Sequence, residues 1–382
     1  MNTRRHFLRT STNSILLAIC STHTNIHEPV TGSNPKPRGG GILNRSWRMP
    51  DENATHDRTW MAFGASQKIW GRKLIGEVRK NLATIAQTIA KFEPVVMCVR
   101  PEQTELAKSF FETLDNIEFM TCELNDLWIR DYGAVYVVNE SGNKAAVNFN
   151  FNGWGEKQEF KKDARIAKQM AEYSNVQLID AEICLEGGGI EIDGNGTAII
   201  TESCVLNRNR NPDWTKNDCE KELNELLGIS KTIWLPGVRG ADITDGHTDF
   251  YARFASPGVV LVHVDQDPSS PDHRLTRRHI EILENSTDGN GQTLQIVTLE
   301  SPARVRRRFD NNEFCAGYVN FYVCNDAVIG PQFGDTRMDA INREKLQQCY
   351  PDREIILLNI DGIAAGGGGI HCTTQQEPSA ES

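Results

Sequence analysis

The most regular feature of the chain is an amphipathic helix pattern followed by a short apolar run. Between Arg72 and Phe92, apolar residues recur at spacings of three and four, at Ile75, Val78, Leu82, Ile85, Ile89 and Phe92. This spacing places them on one face of an α-helix. Pro94 then precedes Val95–Val99, a run rich in β-branched residues that is typical of a buried strand. The pattern predicts a helix followed by a strand.

The same order returns four more times. Helical patterns over 157–173, 216–227, 273–286 and 336–349 precede the apolar runs 176–179, 232–235, 294–297 and 354–358. A hairpin is predicted at Ile190–Ile192 and Thr197–Ile200, because Asp193-Gly194-Asn195-Gly196 between them is a strong turn signal. Five units of strands, helix and strand, repeating at roughly 55 to 80 residues, would fill residues 49–360.

This repeat predicts an α/β fold. A ring of five units, with strands inside and helices outside, would let each unit bury its apolar face against its neighbours. An ordinary α/β sheet with irregular insertions stays open as an alternative, because the periodicity alone does not separate the two arrangements.

The first residues differ in composition from the repeat. Residues 3–9 contain paired arginines followed by Phe7 and Leu8 and resemble a twin-arginine export signal, and the apolar stretch 15–20 ends at Cys20. Residues 21–48 are rich in Ser, Thr, Asn, Pro and Gly, as in a linker. We expect an export signal at 1–20, a low-complexity linker at 21–48 and one folded catalytic domain at 49–380. A functional leader would make the protein periplasmic, secreted or lipid-anchored at Cys20, and otherwise it would be cytoplasmic.

The charge balance argues against some partners. The chain has 41 Lys and Arg against 51 Asp and Glu, a net charge of −10. Nucleic acid is therefore not an expected partner, since phosphate binding needs a basic surface, whereas small cations are attracted. No apolar run approaches the ~18 residues of a transmembrane helix. The ten cysteines contain no Cys-x-x-Cys pair, which argues against a zinc ribbon or a thioredoxin-type site.

Four segments place chemically active side chains beside glycine, where the backbone can approach a ligand closely. They are 125–133 with Asp131, 185–189 with Glu186, 245–249 with His247 and Asp249, and 366–372 with Cys372. Each has an ordinary structural explanation when it is taken alone; Cys372, for example, could be a small buried hydrophobe. Together the segments supply a thiol, an imidazole and three carboxylates.

This combination points to one kind of substrate. A cysteine with a histidine suggests covalent catalysis by a thiolate. Carboxylates near the sulfur would raise the thiol pKa and oppose that chemistry, unless the substrate is a cation that offsets their charge. A guanidinium fits best, because it is planar and pairs with carboxylates through two N–H groups. We therefore expect a thiol enzyme that attacks a guanidinium carbon.

Five motifs strengthen this hypothesis. They are Asn125-Asp126 with Trp128-Ile129-Arg130-Asp131, Glu186-Gly187-Gly188, the asparagine-rich segment 206–212, Gly246-His247-Thr248-Asp249, and the segment 368–376 around Cys372. In this order they resemble the agmatine deiminases and the bacterial-type peptidylarginine deiminases of the guanidino-group-modifying superfamily. The resemblance runs from Met49 to Pro378.

The resemblance implies a five-bladed α/β propeller and a role for each residue. Cys372 would be the nucleophile, His247 the general acid and base, and Glu186 a support for proton transfer. Asp131 and Asp249 would grip the guanidinium, and Trp128 would wall the pocket. The implied reaction is hydrolysis of agmatine to N-carbamoylputrescine and ammonia through a Cys thiouronium intermediate, with no metal or other cofactor. Our own hypothesis, separate from the resemblance, is that the glycines before Cys372 let backbone groups approach the tetrahedral centre.

Departures from the agmatine enzymes leave the substrate open. Tyr132-Gly133-Ala134 stands where Thr-Gly-Pro is expected, and 59–64 lacks the usual Trp-Pro. Peptidylarginine or free arginine is therefore the alternative substrate, with citrulline as product. Remoter alternatives are a non-catalytic binder of guanidino compounds, an amidinotransferase, and a dimanganese ureohydrolase, whose ligand spacing is not matched at 263–268. The sequence leaves open whether the chain forms a homo-oligomer.

Overall fold

The computed structural model describes residues 47–111, 113 and 115–380. The predicted export signal at 1–20 and the linker up to residue 46 lie outside the described residues and stay predictions. Trp47 and Arg48, which the sequence assigns to the linker, form a strand instead, paired with Val138 and Asn139. Among the described helices, none combines the length and the apolar character needed to cross a membrane.

Short strands make up the sheets of the fold. In chain order they are β1 Trp47–Arg48, β2 His56–Ala62, β3 Val95–Val99, β4 Ile117–Thr121, β5 Val135–Asn139, β6 Lys144–Asn148, β7 Gln177–Asp180, β8 Ile190–Ile192, β9 Thr197–Thr201, β10 Lys231–Leu235, β11 Ala252–Ser256, β12 Val259–Val264, β13 Gln295–Glu300, β14 Tyr322–Cys324, β15 Ala327–Gln332, β16 Glu354–Asn359 and β17 Thr374–Pro378.

Helices of very different length lie between the strands. They are α1 Gln67–Ile89, α2 Thr104–Lys108, α3 Ile129–Tyr132, α4 Gly153–Glu156, α5 Ile166–Tyr173, α6 Glu202–Val205, α7 Lys216–Leu227, α8 Pro271–Glu284, α9 Thr336–Cys349 and α10 Asp361–Ala364. Single 3₁₀ turns occur at Pro101–Gln103, Asp163–Arg165, Gly187–Gly189, Thr248–Phe250 and His371–Thr373.

The described strands form five mixed sheets with one repeated unit. The orders are β1-β5-β6-β7, β10-β9-β8, β11-β12-β13, β14-β15-β16 and β17-β2-β3-β4. Each sheet contains an antiparallel pair followed by a parallel pair, and α1, α5, α7, α8 or α9 makes the parallel crossover. The predicted α/β class and the hairpin of β8 and β9 are confirmed.

The C-terminal strand completes the first unit. β17 pairs antiparallel with β2, so that Thr374 lies opposite Met61 and Gln375 opposite Trp60. The predicted units ended at residue 360, and this closing strand was not foreseen. Because β17 directly follows the turn that contains Cys372, the pairing with β2 fixes where that residue lies.

Local signals explain why some predicted helices match the structure closely. α7 has the predicted bounds because Thr215 and Asp218 form a capping box and Gly228, at φ 72°, ends the helix. The helix predicted at 157–173 is wrong in its first half, since only Ile166–Tyr173 is α-helical. Before it, Gly153, Trp154, Gly155 and Glu156 all have positive φ, so the chain makes a left-handed turn.

The amphipathic helices bury their apolar faces against the sheets. α1 contributes Val78, Leu82, Ile85 and Ile89 to the main hydrophobic core, all of them buried. The predicted face of this helix is therefore the one that packs. α1 also begins five residues earlier than the pattern starting at Arg72, because Ser66 caps its N-terminus and Gly71, at φ 64°, interrupts the helical geometry.

We predict that Glu377→Ala destabilises the fold strongly. Glu377 is buried in β17 and accepts hydrogen bonds from Trp60 Nε1 at 2.9 Å, Lys144 Nζ at 2.6 Å and Ser174 Oγ at 2.7 Å. Removing one partner of a buried ion pair costs about 3–5 kcal/mol. Urea unfolding should show this loss, whereas Glu281→Ala, in the exposed pair with Arg278, should cost under ~1 kcal/mol. Equal costs would contradict the prediction.

Candidate active site

The candidate site is built from segments that precede the first strand of each repeated unit. Asp131 precedes β5, Glu186 precedes β8, and His247 and Asp249 precede β11. Asn320 precedes β14, and Cys372 precedes β17. Each of these residues occupies the same position in its unit, just before the first strand. Residues as far apart in sequence as 131 and 372, which are 241 positions apart, therefore contribute to one site.

These segments surround a cavity of about 260 Å³. Cys372, His247, Asp131 and Trp128 all line it. Asp249 contacts the Cys372 sulfur, and Glu186 lies behind His247. The structure thus brings all six predicted site residues into one place, and their individual roles stay predictions.

The sulfur of Cys372 has polar neighbours although it is buried. It lies 3.5 Å from Oδ2 of Asp249, and Asn320 Nδ2 donates to it at 3.4 Å. Burial raises the pKa of the Cys372 thiol well above its ordinary value, and the carboxylates of Asp249 and Asp131 raise it further. In the empty site the sulfur is therefore a neutral thiol at pH 7.

Asp249 is buried and uses only one of its oxygens. Oδ2 contacts His371 Nδ1 at 2.8 Å, and Oδ1 has no hydrogen-bond partner among the described residues. Burial alone would raise the pKa of Asp249, but the contact with His371 lowers it below the ordinary value. Oδ1 of this ionised carboxylate can therefore accept an N–H from a cationic ligand, while Oδ2 contacts the sulfur.

Asp131 is held from two sides. Trp154 Nε1 donates to its Oδ2 at 2.9 Å, and the Gly188 N–H donates to its Oδ1 at 3.2 Å. Burial raises the pKa of Asp131 to about 6, and Asp249 adds to the rise while His247 opposes it. Ionisation of Asp131 near neutral pH therefore depends on nearby positive charge.

Gly188 marks the point where the acidic and basic groups converge. A Cβ at this position would lie 2.7 Å from His247 Nδ1, 2.8 Å from Asp131 Oδ1 and 3.1 Å from Asp249 Oδ2. No larger residue fits without moving at least one of these groups. The Glu-Gly-Gly motif is therefore required for two reasons: Glu186 supplies a carboxylate, and position 188 must have no side chain.

His247 lies between two carboxylates. Its Nδ1 is 3.5 Å from Asp131 Oδ1, and its Nε2 is 3.3 Å from Glu186 Oε2. Burial alone would lower the pKa of His247, but Asp131 and Glu186 raise it well above the ordinary value. The ring is therefore protonated at neutral pH and faces the cavity as an acid.

Glu186 is fixed by an arginine that sequence reasoning did not single out. Arg210 Nε donates to its two oxygens at 2.7 and 3.0 Å, and both side chains are fully buried. Burial would raise the pKa of Glu186, but Arg210 and His247 lower it to about 2. Glu186 is thus a permanent anion behind His247 and does not line the cavity. Arg210 lies within the asparagine-rich motif at 206–212, and that position was the sequence signal that could have identified it.

Trp128 and the glycines before Cys372 shape the cavity wall. A Cβ on Gly368 would lie 2.1 Å from the Trp128 ring, and one on Gly369 would lie 2.2 Å from Asn320 Oδ1. These glycines therefore make room for neighbouring side chains, whereas the sequence hypothesis had assigned them to backbone approach. Trp70 packs on Trp128 with ring centroids 5.6 Å apart.

Sequence reasoning missed Asn320 and Trp154. Asn320 is buried and contacts Cys372 through both its amide nitrogen and its amide oxygen. An asparagine has no acid–base chemistry, so only its place before β14, the first strand of the fifth unit, could have identified it. Trp154 lies just before the helix predicted at 157–173, in a left-handed turn that no sequence pattern indicated.

One cluster in the described part of the chain has the residue types of a metal site. Glu186, Cys204 and His247 place their ligand atoms within 4.8 Å of one another. Arg210 already donates to both oxygens of Glu186, which places a positive charge where a cation would bind. The donor set therefore does not fit a divalent metal, and we derive no chemistry from it.

We predict that Asp249→Asn makes Cys372 more reactive toward a neutral alkylating agent. Removing this carboxylate lowers the thiol pKa, and the larger thiolate fraction outweighs the lower nucleophilicity, so that iodoacetamide should react about 3- to 10-fold faster at pH 8. Mass spectrometry of the peptide containing Cys372 measures the rate separately from the other cysteines. A slower reaction would show that Asp249 does not act on the sulfur by its charge.

Asn320→Ala should change the same rate in the opposite direction. The variant removes the N–H donor to the sulfur, and a hydrogen bond to a charged group contributes about 1.5–3 kcal/mol, so alkylation should slow by about 10-fold or more. The pH dependence of alkylation should move to higher pH. An unchanged rate would exclude Asn320 as a ligand of the thiolate.

Comparisons with known proteins agree with this arrangement. A sequence model of the Porphyromonas-type peptidyl-arginine deiminase family matches residues 48–378. The agmatine deiminase of Pseudomonas fluorescens is 33% identical over 371 residues, covering 90% of this chain and 98% of its own. The structure of the agmatine deiminase of Enterococcus faecalis superposes with a TM-score of 0.81 at 29% identity, covering 89% of this chain and 99% of that chain. The resemblance drawn from the motifs is confirmed, and the chain belongs to the Porphyromonas-type peptidyl-arginine deiminase family.

Proposed function

We propose that the protein is an agmatine deiminase, a hydrolase that acts on a C–N bond of a linear amidine. It converts agmatine and water to N-carbamoylputrescine and ammonia. The observation that carries this proposal is the shared cavity of Cys372, His247 and Asp131, with Asp249 in contact with the sulfur. Relatives that match nearly their whole length are agmatine deiminases.

The substrate's own charge activates the nucleophile. Oδ1 of Asp249 and the carboxylate of Asp131 accept N–H groups of the guanidinium, which places its carbon beside the sulfur of Cys372. The positive charge then offsets the carboxylates that keep the thiol protonated. The thiol loses its proton to solvent only when a cation is bound, so the reactive form coincides with the bound substrate.

His247 donates a proton in the first chemical step and accepts one in the second. The thiolate forms an S–C bond with the guanidinium carbon, and protonated His247 gives its proton to the nitrogen that leaves as ammonia. Neutral His247 then takes a proton from water, whose oxygen bonds to the same carbon. As the S–C bond breaks, the new hydroxyl on this carbon gives its proton to the departing sulfur, the ureido product leaves, and His247 is protonated again. Glu186 stabilises the ring whenever it is protonated.

The lining of the cavity favours an amine tail over a carboxylate tail. Asp126 and Glu313 line the cavity, whereas its described lining includes no Lys or Arg. Ile69, Leu74 and Ile243 supply apolar surface for a methylene chain. The primary amine of agmatine is attracted by this lining, whereas the α-carboxylate of free arginine is repelled.

A five-bladed α/β propeller is the arrangement that we propose for the sheets. Each of the five sheets has the same antiparallel and parallel pairs, and β17 closes onto β2. The site segments precede the first strand of each unit, which a ring would place around one axis. This arrangement explains how distant parts of the chain contribute to one cavity.

A substrate panel tests the proposed function. Ammonia release should be fastest, as kcat/KM, with agmatine, and at least about 10-fold slower with free arginine and with peptides carrying internal or C-terminal arginine. Cys372→Ala should release no ammonia above background. A preference for a peptide would transfer the assignment to peptidylarginine, and equal activity of Cys372→Ala would exclude the thiol mechanism.

A further inference from the structure

His371, the residue before Cys372, joins two carboxylates. Its ring is buried, with Nδ1 2.8 Å from Asp249 Oδ2 and Nε2 2.9 Å from Glu52 Oε2. Asp249 in turn contacts the Cys372 sulfur. His371 is therefore one contact away from the nucleophile, although it is not among the residues that line the cavity.

The two contacts constrain the protons on the ring. An ionised carboxylate only accepts hydrogen bonds, and a neutral imidazole has a single N–H to donate. Two short contacts with two carboxylates therefore require a doubly protonated ring, or else a proton on Asp249 or on Glu52.

Glu52 is ionised because other donors surround it. Arg253 Nη2 lies 2.9 Å from Oε1, Arg130 Nη2 lies 3.2 Å from Oε2, and the Val323 N–H donates to Oε1 at 2.7 Å. Burial alone would raise the pKa of Glu52, but Arg253, His371 and Arg130 lower it well below the ordinary value. The remaining alternatives place the proton either on His371 or on Asp249.

The greater basicity of an imidazole assigns the proton to the histidine. Arg253 also pairs with Glu191 at 2.9 Å. The buried cluster then comprises three carboxylates and three cations, namely Glu52, Glu191 and Asp249 with Arg130, Arg253 and His371. A proton on Asp249 would also balance the charges, but an imidazole is a stronger base than a carboxylate. Oδ2 of Asp249 also faces the Cys372 sulfur at 3.5 Å as an acceptor, so the proton belongs on the ring and each charge of the cluster then has a partner.

We propose that His371 is a buried imidazolium that orients Asp249 and keeps it ionised beside Cys372. It is a positioning residue, because it acts through Asp249. The contact fixes Oδ2 and leaves Oδ1, which has no partner among the described residues, for a substrate N–H. The consequence for catalysis rests on the proposed function, in which Asp249 binds the guanidinium.

The surroundings of Asp249 determine the sign of the pH effect. The charged or titratable groups that act on Asp249, or that it acts on, are His371, Cys372, Asp131, His247, Arg253 and Cys315. Glu52 and Glu191 act on His371. Burial raises the pKa of Asp249, and His371 is the largest opposing influence. Without the charge of His371, the pKa of Asp249 rises and activity is lost at a higher pH as the solution is acidified.

His371→Asn tests this role, because the amide can still donate to Asp249 but is uncharged and cannot reach Glu52. We expect the acid limb of kcat/KM for agmatine to move up by about 1–3 pH units, with KM raised near neutral pH and recovering in base. A fall in activity by the same factor at every pH, without a shifted limb, would mean that His371 is merely structural and would overturn the proposal.

His279→Asn is the matched control. His279 is also buried, but its Nε2 faces the carbonyl oxygen of Pro236 at 2.6 Å instead of a carboxylate. This variant should lose stability and keep the wild-type position of the acid limb. An equal shift of the limb in both variants would show that loss of any buried histidine moves it, and would overturn the proposal.

A second measurement does not depend on turnover or on folding of the His371 variant. In ¹⁵N-histidine spectra at pH 8, without substrate, His247→Asn should retain one ring whose two nitrogens are both protonated. Absence of such a ring would overturn the proposal. If the wild type released no ammonia from agmatine while this ring was present, the proposed function would fail and the charge of His371 would stand.

Discussion

The contact between the Cys372 sulfur and the Asp249 carboxylate, at 3.5 Å, is the constraint around which the site is organised. A buried thiol beside an anion has its pKa raised, so it is unreactive when the site is empty. In the proposed function the same anion binds the guanidinium. The Asp249 carboxylate would therefore keep the thiol of Cys372 protonated and also bind the cation whose charge lowers the thiol pKa. On this proposal Cys372 is a thiol toward a neutral molecule in the cavity and becomes a thiolate only when a cationic substrate is bound.

The fold meets this constraint through its repeated unit. Each unit begins with a strand whose preceding segment faces the site, and each segment supplies a different side chain. Glycine is required where these segments meet, since a Cβ on Gly188 would contact groups from two other segments, Asp131 and His247. The pairing of β17 with β2 then positions Cys372, although β17 lies at the far end of the described chain from β2. Catalytic geometry and closure of the fold thus depend on the same strand pairing.

Periodic features were predictable from the sequence, and contacts between distant charged groups were not. The bounds predicted at 216–227 and 336–349 match α7 and α9, because hydrophobic spacing and capping residues act locally. The left-handed turn at Trp154 was missed, since positive φ at a tryptophan is maintained by contacts such as the one with Asp131. The reactive residues were recognisable by their chemistry and motifs.

The supporting residues of the site were beyond sequence reasoning for a physical reason. Arg210 has its role only because it pairs with Glu186, and Glu52 only because it faces His371. An arginine or a glutamate is ordinarily a solvated surface residue, so its type alone says nothing about burial. These ion pairs link parts of the chain that are 24 and 319 residues apart. Only the folded arrangement determines which charges are desolvated and therefore paired.

His247 and His371 illustrate how the surroundings of a histidine determine whether it transfers a proton or positions another group. Each ring lies between two carboxylates, His247 at 3.3 and 3.5 Å and His371 at 2.8 and 2.9 Å. His247 lines the cavity, and its longer contacts leave it free to exchange a proton with a substrate. His371 has both nitrogens engaged and does not line the cavity, so its proton has no acceptor among substrate atoms. A histidine between two carboxylates is thus an acid at position 247, which lines the cavity, and a fixed charge at position 371, which does not.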